Sequence, residues 1–149
     1  LRRCAIATVT ITHVWDKVNF DKPRQMILIA EQPDDIRIAL NCYQPGANNE
    51  LHYHVGTGQT FLVLKGPCIV RYKSKEEGEA ATPHEATLKE GDSILIPPDV
   101  YYQMYNPGPG NVVLYQAKQP GEGEIVVQGK GKLDNREYFS SERETQRAL

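Results

Sequence analysis

The chain has 149 residues, with 17 lysines and arginines against 19 aspartates and glutamates, for a formal net charge of −2. That length suits a single domain, 1–149, with a real core, and the charge balance gives neither a basic stripe for nucleic acid nor an acidic tail. Three widely spaced cysteines, Cys4, Cys42 and Cys68, make neither a disulfide scaffold nor a zinc ribbon, and they read as small buried hydrophobes in a reducing, cytoplasmic setting.

Taken in order, the chain opens on LRRCAIATVTI, two arginines before an apolar run. Threonines interrupt that run and no small-residue cleavage site follows, so Cys4–Trp15 is predicted to be an extended arm rather than a leader. No apolar stretch reaches the ~18 residues of a membrane helix. Gln25–Ala30 and Asp35–Cys42 read as strands separated by EQPDD. In the second, Ile36, Ile38, Leu40 and Cys42 share one face while Arg37, Ala39 and Asn41 share the other, a period of two. The pattern continues with short β-branched runs at His52–His54, Thr60–Leu64, Cys68–Lys73, His84–Leu88, Ser93–Pro97, Val100–Tyr105, Asn111–Ala117 and Glu124–Gln128. Between them, Ser74–Pro83 is the most charged loop and reads as a solvated hairpin tip. The polar tail 134–149 has a capping-box spacing, Ser141 with Glu144, that suggests a short helix capped by Ser140 or Ser141. About ten short strands at regular spacing predict an all-β barrel or jelly roll.

The chemistry concentrates in Gly46–Gly66. Residues two apart on a strand share a face, so His52 and His54 are able to aim both imidazoles at one point, as metal ligands do. His13 and His84 lie outside any such pattern and read as ordinary polar residues.

At this point the chain resembles the cupin superfamily. The first cupin motif is matched by Gly46, His52-x-His54, Gln59 and Gly66, the second by Gly91, Pro97-x-Asp99, Tyr102 and Asn106, with every spacing kept. Seven of the ten positions, across 46–66 and 91–106, carry the family residue; Gln59, Asp99 and Tyr102 stand in place of a glutamate, a glycine and a histidine. The resemblance implies a jelly-roll (double-stranded β-helix) barrel, with residues 52, 54, 59 and 102 converging inside it, and a homodimer as many cupins form.

It also implies one divalent metal ion, Fe or Zn foremost and Mn or Ni as alternatives, held by His52, His54, Gln59 and Tyr102. Tyr102 serves either as fourth ligand or as the catalytic acid/base. Strand alternation proposes Phe61, Val63, Val100 and Met104 as the pocket wall, with Tyr72 and Tyr115 as weaker candidates; Arg37 and Asn41 are placed to anchor a carboxylate. Tyr101 and Tyr105 then point outward, toward a dimer contact. The expected activity is a metal-dependent enzyme on a small aromatic or carbonyl-containing molecule, with dioxygenase-type oxidation preferred. The alternatives are a redox-neutral lyase, isomerase or polyketide-cyclase-like enzyme, and a non-catalytic ligand-binding or sensor protein.

Overall fold

The computed structural model describes residues 8–120, 124–133 and 144–147, with residues 133 and 144–147 given by backbone alone. Among the described residues, twelve strands form two six-stranded sheets. The first sheet joins β1 (Arg24–Gln32), β2 (Ile36–Tyr43), β4 (Gln59–Lys65), β7 (Ser93–Ile96), β9 (Val112–Lys118) and β12 (Glu144–Arg147) in the order β12-β1-β2-β9-β4-β7. The second joins β3 (His52–His54), β5 (Cys68–Ser74), β6 (His84–Leu88), β8 (Val100–Tyr105), β10 (Ile125–Val127) and β11 (Gly131–Leu133) in the order β11-β10-β3-β8-β5-β6. Pairing is antiparallel throughout except β1 with β12, and strands adjacent in sequence often lie in different sheets, as in a jelly roll.

The inner faces of the two sheets meet in one cluster: Tyr43, Phe61, Val63, Cys68, Val70, Ile96, Tyr102, Met104, Val112 and Leu114. A second cluster lies on the outer face of the first sheet. There Ile27, Ile29, Leu40 and Cys42 pack with Ile38, Leu64 and Tyr115, and Val14, Val18 and Phe20 cover them. The more apolar face of β2 is therefore the outer one, sheltered by the chain that precedes β1. Its plainer face, with Asn41 and Tyr43, turns inward, which frees a polar side chain for the interior. Cys42 and Cys68 are buried free thiols, as expected, and burial pushes Cys68 up to about 11; Cys4 lies outside the described residues.

Two expectations are corrected. The extended arm predicted over Cys4–Trp15 is not a strand in its described part: residues 8–13 carry no regular structure and Val14–Lys17 forms a short helix, α1, while residues 4–7 lie outside the described residues. Val9 and Ile11 are 87% and 80% exposed, because the edge of β1 that the arm would pair with is taken by β12. That same pairing corrects the tail, where 144–147 is extended rather than helical; Ser140 and Ser141 lie outside the described residues. The loop Ser74–Pro83 is also more built than its composition suggests. It starts with a 3-10 turn, Lys75–Glu77, closed by a Ser74–Glu77 capping box. The Lys73 ammonium donates to the carbonyls of Gly78, Glu79 and Ala81 at 2.9, 3.0 and 2.9 Å.

The motif residues have local reasons. Gly46 and Gly91 sit at φ +83° and +88°, and Asp99, at +64°, holds the left-handed turn that a glycine would ordinarily take. A Cβ on Gly66 would lie 2.9 Å from Val63 Cγ1. Asn106 bridges loops, donating from Nδ2 to the carbonyls of Tyr43 and Gly110 while Oδ1 accepts from the Gly108 N–H. Among the described residues no helix is long and apolar enough to cross a membrane.

Candidate metal centre

β3 is three residues long and lies between β10 and β8, with His52 opposite Tyr102. Alternation turns His52 and His54 inward and Tyr53 outward. Both imidazoles are buried, and their Nε2 atoms stand 3.2 Å apart. His52 Nδ1 donates to the Glu50 carbonyl at 2.6 Å. A carbonyl only accepts, so this bond fixes the tautomer and leaves His52 Nε2 as a lone pair facing His54. Metal-ligating histidines are oriented in this way. With metal–nitrogen bonds of ~2.0–2.1 Å, two ligands on one ion sit roughly 3 Å apart, so the observed spacing fits a shared cation.

Tyr102 closes one side. Its ring centroid is 4.5 Å from that of His52 and 6.1 Å, nearly parallel, from that of His54. Phe61 backs it at 5.7 Å. The enclosed cavity is about 30 Å³, bounded by Met26, Asn41, Asn49, Gln116 and Lys118 besides the histidines and aromatic rings. That volume admits an ion with a water or a small planar group, not a whole substrate.

Gln59 reaches the wall through a chain of amides. Asn41 Nδ2 donates to Gln116 Oε1 at 2.9 Å, and Gln116 Nε2 donates to Gln59 Oε1 at 2.6 Å. Gln59 Nε2 is buried with no hydrogen-bond partner among the described residues. If the three amides turn end for end, both contacts survive and Gln59 presents Oε1 instead of Nε2. The donor set therefore fits a divalent ion through the two imidazoles; Gln59 does not itself line the cavity and is tied to its wall through Gln116. Among the described residues no cluster of three or more His, Cys, Asp or Glu exists, so any ion here has largely neutral ligands.

Other predicted residues fall as follows. Asn41 and Phe61 line the cavity; Val63 and Met104 belong to the inner core beside it, with Val100 and Tyr72 packed against that core. Tyr115 is corrected: it lies on the opposite face of β9, against the outer cluster, and Gln116 takes the wall position instead. Arg37 is outside the cavity wall, register partner of Lys118 and 3.5 Å from Glu31. Tyr101 is also corrected: it is buried within the chain, edge-on to Tyr53 at 4.8 Å, rather than offered to a second copy. His84 pairs with Glu77 far from the cavity.

Five residues that line the cavity were missed: Met26, Tyr43, Asn49, Gln116 and Lys118. The last two had a signal in VVLYQAK, where a glutamine and a lysine follow Leu114 at period two on an otherwise apolar strand. Lys118 is 9% exposed, and burial, with Arg37 nearby, lowers its amine to about 8.

The family model described as "Cupin domain" matches residues 39–117, more than half of the chain. The chain belongs to the cupins. Among solved structures, this cupin resembles an uncharacterized conserved protein with a double-stranded β-helix domain from Klebsiella pneumoniae, with 20% identity and a TM-score of 0.63 over 83% of this chain and 100% of that one. It also resembles the capsular polysaccharide assembling protein CapF from Staphylococcus aureus, with 18% identity and a TM-score of 0.57 over 69% of this chain. A third likeness is to a putative sugar phosphate isomerase from Acidithiobacillus ferrooxidans, with 19% identity and a TM-score of 0.51 over 61% of this chain. The cupin spans 30% of CapF and 55% of the isomerase, and at these identities what is shared is the fold. No curated protein matches the sequence.

Proposed function

We propose that this cupin is a metal-dependent enzyme that carries out a redox-neutral reaction, isomerase- or lyase-like, on a small carbonyl-containing molecule. The carrying observation is the pair of Nε2 atoms 3.2 Å apart with Tyr102 against both rings. His52 and His54 would hold the ion. A bound Zn²⁺, Fe²⁺, Mn²⁺ or Ni²⁺ supplies Lewis acidity toward a substrate oxygen.

The chain's own residues do the rest. The Glu50 carbonyl holds the His52 ring in place, the amide chain holds Gln59, and Phe61 and Met26 keep water out. Tyr102 carries an ionisable proton beside the histidines and serves as the acid/base group. A proton carrier where a third imidazole is usual favours proton movement over oxygen chemistry. The putative sugar phosphate isomerase that shares the fold is consistent with that class. Dioxygenase-type oxidation, the first expectation from sequence, rests on the open positions that a neutral ligand set leaves, and oxygen dependence separates the two.

The test starts with elemental analysis of protein purified without chelators. One ion per chain is expected, and its loss in His52→Ala. Turnover on a panel of small oxo- and hydroxy-compounds should be equal with and without air; a requirement for O₂ transfers the assignment to the dioxygenase. Tyr102→Phe should keep the ion and lose turnover. If it loses the ion, Tyr102 is a ligand instead.

A further inference from the structure

Lys118 has no place in the reading so far. It ends β9, opposite Gln59 on β4 and Arg37 on β2, and its side chain borders the same cavity as His52, His54 and Tyr102. It is more than nine-tenths buried and makes no hydrogen bond or ion pair with the described residues. A buried ammonium is costly to the fold unless something pairs with it. Its charged neighbour makes matters worse, since Arg37 is also a cation.

We propose that Lys118, backed by Arg37, receives a carboxylate group of the substrate at the cavity wall it shares with His52, His54 and Tyr102, the rest of the molecule lying in the open cleft of about 470 Å³ that Lys118 and Gln59 also border. The proposal rests on the catalytic reading above and names the class of molecule that site accepts. Charge selects the group. Glu31, 3.5 Å from Arg37 Nε, offsets one of the two cations, so a single positive charge is left to meet a ligand. A carboxylate matches the charge of that ammonium, and it is planar and smaller than a tetrahedral phosphate. Size agrees, because a planar carboxylate fits beside an ion in about 30 Å³. Arg37 was expected from sequence to anchor a carboxylate from inside the cavity. The structure puts it one strand away, behind the lysine that lines the wall.

Calorimetric titration of the protein, with and without Zn²⁺, tests this with pyruvate, lactate and benzoate as probes, and with pyruvamide and inorganic phosphate as controls. At least one carboxylate should bind the wild type. Lys118→Met should weaken it by about tenfold or more, as the loss of a charge-assisted contact does, and Arg37→Met severalfold. Pyruvamide should not bind. Zinc content of both variants should match the wild type. Unchanged carboxylate affinity in Lys118→Met overturns the proposal, as does tighter binding of phosphate, or failure of all three carboxylates to bind the wild type. If carboxylates bind through Lys118 while no zinc is taken up, the anchor stands and the metal-enzyme reading fails. If zinc binds and Lys118→Met changes nothing, the reverse holds.

Discussion

Two lysines are buried in this barrel, and they live in opposite surroundings. Lys73, 1% exposed on β5, gives its three ammonium protons to three carbonyls of the loop it pins, and its charge lies 5.4 Å from the Tyr101 ring centroid. Lys118, 9% exposed on β9, has a cation opposite it and no acceptor. The first is what a buried charge looks like when its purpose is structural: every donor is satisfied by a backbone carbonyl. The second has no such acceptor among the described residues, which is what the proposed carboxylate site requires. Two buried lysines are thus told apart by counting their acceptors among the described residues.

The largest effect should come from the satisfied lysine. Lys73→Met strips three carbonyls of a charged donor and is expected to cost about 3 kcal/mol, lowering Tm by roughly 6–12 °C in a chain of this size. Thermal unfolding measures it. A variant as stable as the wild type would mean that the loop holds itself through the Ser74–Glu77 box, and the contrast between the lysines would lose its structural half.

The fold was legible because its signals are local. Alternation in β2, turn glycines, and the offsets around His52, His54 and Asn106 each encode a backbone requirement that a reader of the sequence recovers. The extended arm failed as a strand in its described part because composition does not reveal a pairing partner, and it is 144–147 that pairs with β1. In the site, the histidines were readable and the far wall was not. Tyr115 was a weaker candidate for the wall, and the face of a strand is decided by what packs on each side. An outer layer of Val14, Val18 and Phe20, invisible to periodicity within β9, drew Tyr115 outward and left Gln116 and Lys118 inside. Buried polar residues look like surface residues until their partners are known.

Gln116 offers the next test, on the satisfied part of the cavity. Gln116→Leu keeps the size but leaves Asn41 Nδ2 and Gln59 Oε1 buried without the partner each now has. A loss of about 2 kcal/mol is expected in denaturant unfolding. Stability unchanged from the wild type would show that the amides are not acting as one chain.

A smaller effect, opposite in sign, is expected at the unsatisfied lysine. Lys118→Met replaces a buried unpaired ammonium by an apolar group of similar length, and should stabilise the protein by about 1–2 kcal/mol at neutral pH. A gain in stability joined to a loss of carboxylate binding is not what removing a structural residue does. Destabilisation instead would mean that Lys118 has a partner within the fold and would dissolve the contrast with Lys73.

That gap should itself depend on pH, and the direction follows from the depressed amine. Folded Lys118 titrates at about 8, below the 10.5 of a free lysine, because burial and then Arg37 disfavour its charged form. Below pH 8 the amine is protonated in both folded and unfolded chains, so the whole penalty is present and the methionine variant keeps its full advantage. Between about 8 and 10.5 the folded chain has released the proton while the unfolded chain still holds it, so the wild type gains stability with rising pH. The methionine variant lacks this gain. Unfolding of chelator-stripped protein at pH 7, 8, 9 and 10 should show the two curves converging. Parallel curves for Lys118→Met would place its ammonium in contact with an acceptor, and the cavity would then have no charge waiting for a ligand.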